Sequence, residues 1–239
     1  MSDRTRLAVL LLLFSVLLAP ENGSAWGGGG TPPNQQFDFW GFSIAPEPVV
    51  PGNELRLVGV ITPLSAVPIP LDFNSNEYTI YISGLKLSAR ITNGPVVESH
   101  YKGGVADIYA DPSFNAPFDY GTSAEVVPPL DPSEVPANFR DGTLLVRMTF
   151  RSFITLFFPA SGVGSIAYTA TELRATEGSG LPILHQHHMI VGWHMGGGFT
   201  NDSRYIPAGY GMLYDPLIRW ENPLPVEPAT WGGIKAIFK

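Results

Sequence analysis

The chain of 239 residues contains no cysteine. That excludes a disulfide framework, thiolate metal ligands, a cysteine nucleophile and a lipid-modified cysteine. Charge is scarce as well: 15 % charged against 44 % hydrophobic residues is too apolar for a disordered chain. Positive charge is scarcer still, 14 Lys and Arg against 21 Asp and Glu, a net −7. An acidic balance is the wrong sign for nucleic-acid phosphates and for anionic lipid surfaces. Catalytic motifs are missing too. A nucleophile elbow needs Gly-x-Ser-x-Gly, and Gly162-Val163-Gly164-Ser165 has the wrong order. The glycine runs at 27–30 and 196–198 lack the Lys-Ser/Thr ending of a phosphate loop. The chain therefore reads as non-enzymatic.

What is present begins with one apolar run, Leu7–Ala19, interrupted only by Ser15. Arg4 and Arg6 precede it, and Gly23-Ser24-Ala25 follows with small residues suited to a signal peptidase. The run is short of the roughly 20 residues that span a bilayer. Residues 1–25 are therefore read as a cleaved signal peptide, and the rest as secreted or periplasmic with no stable membrane insertion. Because Asp3, Arg4, Arg6 and Glu21 cancel, the remaining chain keeps the net −7. Residues 26–36, rich in Gly and Pro, read as a flexible leader.

From Phe37 the pattern is apolar residues at period two, which marks half-buried strands. Leu85, Leu87, Ala89 and Ile91 alternate with Lys86, Ser88, Arg90 and Thr92; Leu144, Val146, Met148 and Phe150 alternate with Thr143, Arg147, Thr149 and Arg151. Turn chemistry at Asn93-Gly94, Gly103-Gly104, Asp141-Gly142 and Ser161-Gly162 separates the runs. No helical period is sustained, though Asp131–Phe139 could make one helical turn. The expected fold is all-β: an antiparallel sandwich, jelly-roll-like, or a barrel, with the sandwich favoured. The expected body is 37–195, with 196–239 as a Gly/Pro/aromatic-rich extension packed on it. Two stretches lack the alternation, 111–140 and 196–239, and long irregular segments are places to look for function.

Four of the five histidines fall in Leu184–His194. Read as a strand, this segment points His185, His187 and Met189 to one face. Imidazole suits zinc and copper, and a thioether turns the preference toward copper. His185, His187, His194 and Met189 are thus the candidate metal ligands. The His-x-His pair resembles half of a cupin signature, which implies a metal on a β-barrel; no glutamate follows before Glu221. Asp107, Asp111, Asn115 and Asp119 offer hard oxygens for calcium. Trp193, Tyr205, Tyr210, Tyr214 and Trp220 crowd the C-terminal region and could contact a protein or carbohydrate partner. The leading functional expectation is an exported, non-enzymatic binding or structural module of the cell envelope or extracellular space. The alternative is a metal-binding protein or metal-dependent enzyme built on the His-x-His pair.

Overall fold

The computed structural model describes residues 35–116, 135–204 and 206–221. Its strands are β1 (Gln36–Ser43), β2 (Glu54–Ile61), β3 (Glu77–Asn93), β4 (Val96–Lys102), β5 (Val105–Asp111), β6 (Thr143–Phe158), β7 (Val163–Ile166), β8 (Glu172–Glu177), β9 (Trp193–Thr200) and β10 (Leu213–Trp220). One short helix, α1 (Leu181–Gln186), joins β8 to β9. Short 3-10 turns occur at Ala137–Phe139 and Tyr168–Ala170.

All pairings are antiparallel. β4 and β5 run end to end between β3 and β6, bending at Gly103 and Gly104, whose φ angles of 70° and 96° suit glycine. β7 and β8 likewise share one position between β6 and β9. β10 bonds β9 on one side and β1 on the other. The result is an eight-stranded antiparallel barrel rather than the jelly-roll-like sandwich favoured above. The alternation along one strand is the same whether its inner face meets a second sheet or the opposite wall of a barrel. The β9–β10–β1 pairing removes the open edges of the sheet.

Inward side chains form the core of the barrel: Phe37 and Phe39 of β1, Leu55 and Leu57 of β2, Phe153 and Phe157 of β6, Trp193 and Phe199 of β9. A second apolar cluster lies on the outer face. There Trp40, Phe42, Ile44, Val58 and Val60 pack under Phe139 and Tyr210, so β1 and β2 are buried on both sides. This explains their near-continuous apolar sequence.

Two strands fall in the stretch that lacked alternation. The expected boundary after residue 195 lies inside β9, whose Gly196, Gly197 and Gly198 carry no apolar signal. Two of those glycines are spatially required: a Cβ on Gly197 would come within 2.4 Å of the Pro216 Cα across the β9–β10 pair, and one on Gly196 within 2.5 Å of the Tyr168 ring. β10 itself contains Pro216, a residue that argues against a central strand. The apolar stretch Val163–Leu173 divides into β7 and the start of β8 around the turn at Tyr168–Ala170. Of the 111–140 stretch, residues 117–134 lie outside the described residues, as do Asp131 and Pro132 of the expected helical turn.

Candidate functional site in the barrel end

The segment Ala45-Pro46-Glu47-Pro48-Val49-Val50-Pro51 connects β1 to β2. Residues before proline are biased to extended conformations, so Ala45, Glu47 and Val50 are stiffened by their neighbours. The segment presents Glu47 to the barrel interior, with its side chain 3 % exposed. Glu47 Oε1 accepts hydrogen bonds from Tyr101 Oη at 3.1 Å and Thr155 Oγ1 at 2.7 Å. Tyr101 shares the inward face of β4 with Val97 and Ser99, and Thr155 that of β6 with Phe153 and Phe157; all are buried. Arg90 Nη1 donates to the Pro48 carbonyl at 3.1 Å and stands 3.7 Å from Glu47 Oε2. That is ion-pair range but too long for a hydrogen bond.

One buried oxygen at this end, Glu47 Oε2, therefore lacks a hydrogen-bond partner. Buried polar atoms without partners are rare in folded proteins and call for a physical reason. Electrostatics add to the pattern. Burial raises the Tyr101 phenol well above its ordinary range, and the Glu47 charge adds to that rise. Burial also pushes Tyr214 well up, with smaller contributions from Glu47 and Tyr101. Both phenols stay protonated as donors at neutral pH. The barrel end thus combines one carboxylate, two phenols and two small hydroxyls beside an otherwise apolar interior.

The histidine segment folds differently from the strand expected. Gly180 precedes α1, Pro182 sits in its first turn, and its end closes as a Schellman motif: Met189 N–H donates to Leu184 O at 2.8 Å and His188 N–H to His185 O at 3.1 Å. Leu184 and Met189 are buried together in the core, which is the apolar contact that accompanies this cap. His185, His187 and His188 are exposed at the helix end. His194 lies on β9, its ring 5.6 Å from that of Tyr168 and its backbone opposite Glu172 and Arg219. The four candidate metal ligands are thus distributed over an exposed helix end, the core and a strand. Among the described residues no group of three or more His, Cys, Asp or Glu side chains is placed to hold a metal ion.

His188 occupies the left-handed position after the helix, with φ 59°. An L side chain there costs roughly 1–2 kcal/mol, which glycine avoids. Exchanging His188 for glycine is expected to raise stability by about 0.5–1 kcal/mol, the gain being reduced by glycine's greater freedom in the unfolded chain. A urea titration measures this, with His187→Ala as a near-neutral control.

The oxygen-rich turn after β5 is also arranged otherwise than expected. Both carboxylate oxygens of Asp107 accept from Arg147, at 2.6 and 2.9 Å. Asp111 Oδ1 caps Ser113 N–H, and Asn115 donates from its side chain to Asp141. Glu77 organises the turn by accepting the backbone N–H groups of Asn115 and Ala116. Burial raises the Glu77 carboxyl above its usual range, with Asp111 and Asp141 adding to the rise against the lowering by the two N–H groups. Asp119 lies outside the described residues.

Of the aromatic candidates, Trp193 and Tyr214 are fully buried in the barrel and Tyr210 is buried in the outer cluster. They are core residues rather than an exposed contact surface. Trp220 is partly exposed and donates from Nε1 to Val191 O at 2.9 Å. Tyr205 lies outside the described residues. No family model, curated protein or solved structure matches this chain.

Glu47, Ser99, Tyr101 and Thr155 went unnoticed in the sequence. Glu47 carried a weak signal, an acid between two prolines in an apolar stretch. Ser99 and Thr155 sit at inward positions of their strands, where a polar residue breaks the apolar period. Glu98 and His100 lie on the outward face of β4 and pair with each other at 2.6 Å.

Proposed function

We propose that this chain is an exported, non-enzymatic binding protein that takes a small, mainly apolar ligand carrying a hydrogen-bond donor at the Glu47 end of its barrel. The observation that carries this reading is the buried Glu47 Oε2, an acceptor without a hydrogen-bond partner. Convergent polar groups in an apolar concavity are the usual form of a small-molecule site, and barrel mouths are a common location. Eight-stranded barrels have interiors of the size that either fills with side chains or holds one small ligand. Phe153 and Phe157 flank Thr155 along β6 and supply an apolar wall. The segment that carries Glu47 also bears the exposed Val49 and Val50.

The test is a fluorescence titration with 1-aminoanthracene, an apolar amine, against anthracene-1-carboxylate. The amine is expected to bind, and Glu47→Gln to weaken it about tenfold, the worth of one charge-assisted hydrogen bond. Glutamine keeps the volume and can still accept from Tyr101 and Thr155. Equal amine affinity in the wild type and a folded Glu47→Gln variant, or preference for the carboxylate, overturns the reading.

A further inference from the structure

A separate feature lies outside the barrel wall. Between α1 and the outer faces of β6 and β8 is an open cleft of about 440 Å³, lined by Leu181, Ile190 and Ala175 on its apolar side and by Arg174, His185 and Thr149 on its polar side. That volume is within the range of small-molecule sites, about 300–1,000 Å³. The frame is held by the backbone: Ala175 N–H donates to Ile190 O at 2.9 Å, and the Thr149 hydroxyl donates to the Arg174 carbonyl.

The charge pattern picks out Arg174. Its neighbours on this surface are neutralised: Arg147 bonds Asp107 and Glu177, and Arg151 bonds Glu172. The Arg174 guanidinium forms no ion pair with a carboxylate among the described residues, and it is exposed at the cleft edge. Beside it His185 offers a ring nitrogen. A guanidinium presents a fork of donors that matches a carboxylate. In a chain of net −7 this is a local positive point next to an apolar trough.

We infer that the Arg174–His185 cleft binds an aliphatic monocarboxylate, with the carboxylate on Arg174 and the hydrocarbon chain along Leu181 and Ile190. This site is independent of the barrel end, differing in place and in the sign of the ligand it selects. The experiment is an amide NMR titration of the whole folded protein with octanoate, octanol and octylamine. Octanoate is expected to shift resonances of α1 and β8 selectively. Arg174→Gln, an exposed substitution that leaves the fold intact, is expected to weaken octanoate about tenfold, and Glu47→Gln to leave it unchanged. Octanol or octylamine shifting the same amides as strongly, octanoate binding that survives Arg174→Gln, or the absence of any shift overturns the inference. Octanoate binding lost in Glu47→Gln but kept in Arg174→Gln overturns it as well, and assigns the carboxylate to the barrel end.

Discussion

Exchanging Trp193 for alanine is expected to destabilise the protein by about 3–5 kcal/mol, the range for deleting a large buried aromatic. Trp193 opens β9 and is 0 % exposed. Its ring centroid lies 5.7 Å from that of Phe37 on β1, and its indole Nε1 donates to Met189 O at 2.6 Å. Across the sheet its backbone faces Leu173 of β8 and Trp220 of β10. The side chain thus sits where β8, β9, β10 and the turn after α1 meet. Truncation removes apolar contacts and leaves the buried Met189 carbonyl without its partner. In a domain of this size the loss corresponds to a fall in Tm of about 10 °C or more. Calorimetry and urea titration measure it. A Tm unchanged within about 2 °C would return Trp193 to the role of an exposed contact residue, because surface substitutions rarely cost more than ~0.5 kcal/mol.

The second large effect is expected at Gly41. It pairs with Gly59 across β1 and β2. A Cβ placed on Gly41 would fall 2.0 Å from the Val58 carbonyl oxygen and 2.6 Å from the Gly59 Cα. Both are backbone atoms, so no rotamer change relieves the clash and the strand pair must separate. Because β1 also bonds β10, separation loosens the ring on both sides. Gly41→Ala is expected to cost about 3 kcal/mol, the upper end for overpacking. Gly94 provides the contrast. It sits in the β3–β4 turn at φ 58° with nothing within 4 Å of its would-be Cβ. Gly94→Ala therefore meets only the left-handed conformational cost, about 1 kcal/mol. Equal effects at the two positions would show that the β1–β2 approach is not as tight as described.

These two glycines show why part of the fold was hidden in the sequence. Gly94 was legible because Asn93-Gly94 lies between two alternating runs and turn chemistry is local. Gly41 was not, since its need depends on a neighbouring strand 18 positions away. The histidine segment failed for a related reason. His185, His187 and Met189 fit period two as written, yet Pro182 after two glycines starts a helix, and burial of Leu184 with Met189 closes it. Side-chain chemistry suggested a shared face, and the backbone separated the residues.

The sequence by itself determined the all-β class, most strand positions and the turns between them, because alternation and turn residues act within a few positions of the chain. Only the tertiary structure decided that the sheet closes into a barrel, since closure depends on the pairing of β10 with both β9 and β1. It also decided the candidate site. Glu47, Ser99, Tyr101 and Thr155 span 108 positions of the chain and meet because the β1–β2 connection, β4 and β6 bring them to one barrel end. A buried carboxylate is recognised by what surrounds it, and that surrounding exists only in the folded chain.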